Sequence, residues 1–179
     1  MRLPYNHGCL HGTWIAADQE PEAIHEQIAW ILRTSPAARR YGEVAEEWGI
    51  FDYSGFGGYR VGEYANLDTV SLVARGIAEH GPAYAEWVEY VGETADELLD
   101  DESFRDHYEG TFDSLEAYVE YILEETGFYR ELERALEVVP EDLRRYIEVD
   151  VKGIAEEWGQ GLHVVETEDG RVWVFDGRG

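Results

Sequence analysis

The chain reads as an α+β protein on three observations. Glycine-punctuated extended segments alternate with one amphipathic stretch through the first third, apolar residues recur at helical spacing through the middle, and the end closes in a hairpin pattern. At 179 residues the chain holds one large domain or two to three small ones, with six Trp, twelve Tyr and six Phe to bury.

In chain order, Tyr5-Asn6-His7-Gly8-Cys9-Leu10-His11-Gly12 predicts a turn running into a short strand around Thr13 to Ala16. Pro21 suits the first position of a helix, Ile24, Ile28, Ile31 and Leu32 form its apolar stripe, and Ser35-Pro36 ends it. Trp48, Ile50 and Asp52 alternate with Gly49, Phe51 and Tyr53, which predicts a second strand closing in Ser54-Gly55-Phe56-Gly57-Gly58. Those glycines serve positive φ in a tight turn. Asn66 caps a helix carrying Leu67, Val70, Val73, Ala74 and Ile77, and Gly81-Pro82 stops it and starts the next. Thr94 to Glu97 has the spacing of a capping box, and so does Asp113 to Glu116 with the aspartate as cap. Further helices are predicted over Tyr129 to Glu137, Glu141 to Ile147 and Val151 to Glu157. The closing hairpin is Leu162 to Thr167, a turn at Asp169-Gly170, and Arg171 to Phe175.

Charge is the strongest signal. The stretch from Glu79 to Glu125 holds sixteen acids: Glu79, Glu86, Glu89, Glu93, Asp96, Glu97, Asp100, Asp101, Glu102, Asp106, Glu109, Asp113, Glu116, Glu120, Glu124 and Glu125. Arg105 is its one base, so 16 − 1 leaves −15 of the chain's −25 in that stretch. Tyr84, Trp87, Val88 and Val91, then Leu115, Tyr118, Val119 and Ile122, are interleaved at helical spacing, so the acids line the outer faces of folded helices. Helices rise about 1.5 Å per residue, so the stretch traces roughly 70 Å, with one acid per roughly 4.4 Å. Folded into two antiparallel legs this becomes about 2.2 Å, approaching the roughly 1.7 Å of duplex DNA. A well-solvated helix face is the plainer account of the same residues, and acids in first turns are in part ordinary helix chemistry.

Composition excludes several functions. So acidic a chain is repelled by nucleic acid and anionic lipid, and its natural partners are basic surfaces. The single Cys9 forms no internal disulfide and fits a reducing compartment. Neither a membrane span nor a signal peptide is readable, so a cytoplasmic location is expected. The glycine run lacks the third glycine of a dinucleotide loop, since Arg60 stands there, and no Lys-Ser or Lys-Thr follows. His7 and His11 flank Gly8 in a non-helical region, and Glu22-Ala23-Ile24-His25 lacks the second copy that a di-iron bundle needs. Asp96 to Asp106 lacks the glycine and spacing of an EF-hand loop, and no motif frames Cys9 as a nucleophile. No catalytic residue, metal or cofactor is therefore predicted.

Tyr5-Asn6, Gly8, Leu10-His11-Gly12, Trp14-Ile15, Glu46-Glu47-Trp48, Ile50 and Asp52-Tyr53-Ser54-Gly55-Phe56-Gly57-Gly58 together resemble the ArdA family of antirestriction proteins. Leu143-Arg144, Tyr146-Ile147 and the strand from Leu162 to Glu166 continue the likeness, which is looser through the acidic middle. The resemblance implies an elongated homodimer of three small domains that mimics DNA and occupies the DNA site of type I restriction-modification enzymes. It assigns the sixteen acids to the methyltransferase core of such an enzyme as phosphate mimics. Family members carry a strand before the Tyr-Asn pair, where this chain has only Met1 to Pro4, so a truncated start or a smaller first sheet is expected.

The division expected is a small α/β domain over 1–62, an acidic helical domain over 63–111, and a C-terminal α/β domain over 112–179. Tyr146 and Trp158 are candidates for the dimer contact, although a core position suits either one. Two alternatives stay open: an acidic adaptor or inhibitor of another basic DNA-associated protein, and a hydrolase that uses acids and a metal.

Overall fold

The structure, a computed structural model, describes residues 2–3, 11–41, 47–91 and 101–177. It is a mixture of helix and strand that separates into two compact units, Met1–Phe104 and Arg105–Gly179.

The first unit opens with β1 (Arg2–Leu3) paired antiparallel to β2 (His11–Gly12). The residues ahead of Tyr5 thus include a two-residue strand. Thr13 to Ala16, expected as a strand, is irregular; pairing stops at Gly12. Helix α1 (Pro21–Thr34) has Pro21 at its start, where no intrahelical donor is needed, and buries Ile24, Ile28 and Ile31 on one stripe. Pro36 then opens α2 (Pro36–Tyr41).

Residues 47–66 cross without a strand. Trp48 to Tyr53, expected as a strand, is irregular and forms no ladder; the Ile50 amide donates to the Glu63 carbonyl at 2.8 Å. Ile50, Phe56 and Val61 from this segment are buried. The glycine turn behaves as expected: Gly57 takes φ 54°, and a Cβ on Gly58 would sit 2.0 Å from a Glu86 carboxylate oxygen.

Helix α3 (Leu67–His80) is capped by the Asn66 side chain, which accepts from the Asp68 amide at 2.8 Å. Gly81, at φ 80°, ends it, and Pro82 opens α4 (Pro82–Val91). Tyr84 and Trp87 are buried on α4 and meet Phe104 of α5 (Asp101–His107), with ring centroids 5.1 and 5.7 Å away. His80 lies against the same Phe104 ring at 4.9 Å. The box at Thr94 falls outside the described residues.

The second unit is a three-stranded antiparallel sheet with helices packed on it. Its strands are β3 (Tyr108–Phe112), β4 (Leu162–Glu166) and β5 (Val172–Asp176), in the order β3-β5-β4. The sequence placed Tyr108 to Thr111 in the helical section; instead those residues form an edge strand, with a register shift between Tyr108 and Gly110 and Gly110 at φ 132°. The predicted hairpin is present, with Leu162 opposite Asp176 and Glu166 opposite Val172. Side chains alternate across β5. Val172 and Val174 join Tyr118, Val119 and Leu123 of α6 (Leu115–Glu125) and Ala155 of α9 (Val151–Trp158) in one core. Phe175 is fully buried beside Tyr108 and His163.

Ser114, one residue past the Asp113 expected as cap, closes the start of α6 by accepting from the Ala117 amide at 3.1 Å. Helix α7 (Phe128–Leu136) follows. The helix expected over Glu141 to Ile147 stops at α8 (Glu141–Arg144), and the Arg144 guanidinium donates to the Val139 and Glu137 carbonyls at 2.9 and 3.0 Å. Among the described residues no helix is long and apolar enough to cross a membrane.

Candidate partner-binding surface

The sixteen acids divide into distinct surroundings. Glu93, Asp96, Glu97 and Asp100 lie outside the described residues, and Asp101 is placed only by its helix. On the first unit Glu79, Glu89 and Glu102 are exposed, while Glu86 is half-buried against Gly58. Glu89 also takes a long 3.4 Å hydrogen bond from the Arg60 amide. These two carboxylates therefore help to seat the glycine turn.

The second unit presents Asp106, Glu109, Asp113, Glu116, Glu120, Glu124 and Glu125, all exposed. Four of these arise from the geometry of α6. Tyr118, Val119 and Leu123 are turned into the core, with Leu115 and Ile122 beside them. At 100° per residue the opposite side carries Glu120 and Glu124, with Glu116 at one flank of the core face and Glu125 at the other. Glu116, Glu120 and Glu124 stand four residues apart and form one row, with about 6 Å of rise between neighbours.

Local helix energetics does not account for that row. Each like-charge pair four residues apart costs about 0.2–0.5 kcal/mol. Asp113 and Glu116 sit at the helix start, where the dipole favours an acid, but Glu124 and Glu125 sit at its end, where the same dipole opposes them. Among the described residues no ion pair is made by Glu116, Glu120, Glu124 or Glu125. The bases instead serve other acids: Arg134 binds Glu131 at 2.6 Å, Lys152 approaches Glu156 at 3.9 Å, and Arg171 binds Asp169 at 2.8 Å.

The asymmetry lies within the second unit. Residues 105–125 carry seven acids and one base, net −6, whereas 126–179 carry thirteen acids and seven bases, also net −6. The second set is interleaved with arginine and lysine and partly paired; the first has one base among its seven acids. A sequence window found the first set, because the signal was the missing bases as much as the acids present.

Asp169 is the acid whose proton affinity the fold changes most visibly. Hydrogen bonds from Arg171 and then from Thr167 lower its pKa from 3.8 to about 2. A lowered folded-state pKa contributes stability that is present above about 4 and is lost as pH falls through about 2. Because the side chain is exposed, the effect belongs to the hairpin turn and not to global stability. A carboxyl carbon NMR titration should place the Asp169 midpoint near 2; a midpoint near 3.8 would remove the Arg171 and Thr167 bonds as its cause.

Among the described residues, no three His, Cys, Asp or Glu side chains gather closely enough to hold a metal ion. Glu22 and His25 are exposed on α1, and His7 and Cys9 lie outside the described residues. What the arrangement can do chemically is attract a cationic surface. A family model described as antirestriction protein (ArdA) matches residues 4–172. Searches of curated proteins and of solved structures give no match.

Proposed function

The chain belongs to the ArdA family of antirestriction proteins, and from that premise we propose that it mimics duplex DNA and occupies the DNA-binding groove of a type I restriction-modification enzyme. The observation that carries this reading is the row on α6: exposed carboxylates held four apart against the local preference of the helix, without an ion pair among the described residues, and turned away from a core face that fixes their direction. One carboxylate per about 6 Å of helix is sparser than the 3.4 Å spacing of phosphates along one DNA strand. Asp106, Glu109 and Asp113 add charge on the same unit, and Glu79, Glu89 and Glu102 on the other.

The proposed target is the methyltransferase core, bound by the sixteen acids acting together. The action is binding in place of DNA, without catalysis, cofactor or metal, and it takes place in the cytoplasm. Three small domains, divided near residues 62 and 111, remain the proposed organisation, paired in a homodimer. Leu143, Tyr146 and Ile147 are apolar and exposed at 50 %, 70 % and 44 %, which supports that region as the dimer contact. Two chains carry 2 × 25 = 50 net charges, as many as about 25 base pairs at two phosphates each.

The test is competition. A type I methyltransferase is titrated with labelled duplex and this protein at several salt concentrations, after light scattering has fixed the protein's mass. Added duplex should relieve inhibition, independently of recognition sequence beyond that sequence's own affinity, because carboxylates imitate the backbone and present no base edges. Raising salt should favour the protein over DNA, since DNA binding is driven by release of condensed counterions and a folded protein carries a thinner ion atmosphere. A ternary complex with duplex still in the groove would exclude mimicry and favour an acidic adaptor; a monomeric mass would exclude the dimer.

A further inference from the structure

The first unit carries a hollow of about 910 Å³ that the acidic row does not explain. Its walls include Trp48 and Phe51 from one irregular segment and Tyr64 from a turn, with Glu47 and Glu63 beside them. The two segments are tied by the Ile50 amide bonded to the Glu63 carbonyl at 2.8 Å. Gly49 lets them close: a Cβ there would stand 3.1 Å from the Glu63 Cγ and 3.3 Å from its Oε1, so the carboxylate lies against bare backbone. The adjacent Glu63 carboxylate, with a smaller contribution from Glu47, holds the Tyr64 phenol pKa above its usual value. Two carboxylates and this ring thus line one hollow. Yet Tyr64 is 79 % exposed and Phe51 46 %, so their faces are left to solvent.

Aromatic faces beside paired carboxylates suit one kind of occupant. A guanidinium is planar, stacks on rings, is more weakly hydrated than an ammonium and meets a carboxylate with two parallel hydrogen bonds. Carboxylates alone would be enough to imitate phosphates; exposed rings among them add a preference that phosphates lack. We propose that this hollow receives an arginine side chain projecting from the basic partner surface. This rests on the reading that the partner is a DNA-binding protein, whose grooves contact phosphates with arginine and lysine.

The experiment measures fluorescence anisotropy of labelled, capped hexa-arginine and hexalysine peptides on the full chain at moderate salt. Tyr64→Leu, changed at a largely solvated position, should weaken hexa-arginine binding about fivefold, and Phe51→Leu with Tyr64→Leu about tenfold. Hexalysine binding should change less than twofold in both, and Trp30→Leu, an exposed ring on α1 that does not line the hollow, should alter neither. Net charge is the same throughout, so attraction by charge alone predicts no difference. Equal hexa-arginine affinity for the Tyr64→Leu protein and the unaltered protein would overturn the proposal, and so would an equal loss for both peptides. The peptides report on the hollow without any restriction enzyme. Failure of the unaltered protein to displace DNA from the methyltransferase would instead count against mimicry.

Discussion

Neutralising Glu109, Asp113, Glu116, Glu120, Glu124 and Glu125 together, as Gln or Asn, should weaken displacement of DNA from a type I methyltransferase by about a hundredfold. Exposed ion pairs contribute about 0–1 kcal/mol each, so six at about 0.5 sum to about 3 kcal/mol, or two powers of ten. Glu120→Gln alone should cost less than threefold. The six are chosen because all are exposed on one unit, whereas Glu86 and Glu89 also seat the glycine turn and their loss would confuse charge with folding. Thermal stability of the six-fold variant should hold or rise, because the like-charge repulsion along α6 is relieved and the dipole no longer opposes acids at its end. A single neutralisation that abolished activity in a folded protein would point to a catalytic or metal-binding carboxylate and end the mimicry reading.

Trp87→Ala should be the most damaging change to the first unit, at about 3–5 kcal/mol. Trp87 is 1 % exposed, with the rings of Tyr84 and Phe104 at 5.6 and 5.7 Å, so its removal leaves a cavity that aromatic neighbours cannot collapse into. Against a typical total stability of about 5–15 kcal/mol the loss is large enough to unfold a small unit. Urea denaturation followed by near-ultraviolet circular dichroism measures it. A loss below about 1 kcal/mol would mean that the aromatic cluster does not hold α4 in place. By contrast, Trp30→Ala at an exposed site of α1 should change stability by less than about 0.5 kcal/mol.

The regular elements were legible where a local signal is strong by itself. Pro21, Asn66 and Gly81-Pro82 punctuate α1, α3 and α4 as their chemistry requires, and the apolar stripes predict most of the large buried side chains, although Leu32, Ala74 and Ile77 are only half-buried and Ser71 is buried outside the stripe. The closing hairpin followed from alternation around Asp169-Gly170. What failed locally was what depends on a distant partner. Trp48 to Tyr53 alternates like a strand, yet alternation cannot supply the neighbour that a ladder needs. Tyr108 to Phe112 lies in an acidic, helix-rich context and carries a glycine, but β5 offers an edge on which it pairs. Asp113 and Ser114 are both good caps, and one residue of register, set by which side of α6 meets the sheet, chose the serine.

By itself the sequence determined that this chain is an acidic α+β protein whose bases are nearly absent between Glu79 and Glu125, since charge and composition do not depend on folding. It also carried the family, through the short motifs of its first 60 residues. Only the tertiary structure decided which acids stand clear. Burial of Tyr118, Val119 and Leu123 against Val172 and Val174 fixes the rotation of α6 and turns Glu116, Glu120 and Glu124 to solvent as a row. The turn packed on α4 draws Glu86 partly inward. Bringing Glu63 and Tyr64 beside Trp48 and Phe51 likewise required the fold, because a hydrogen bond from the Ile50 amide to the turn at Glu63, and not proximity in sequence, places them at one hollow.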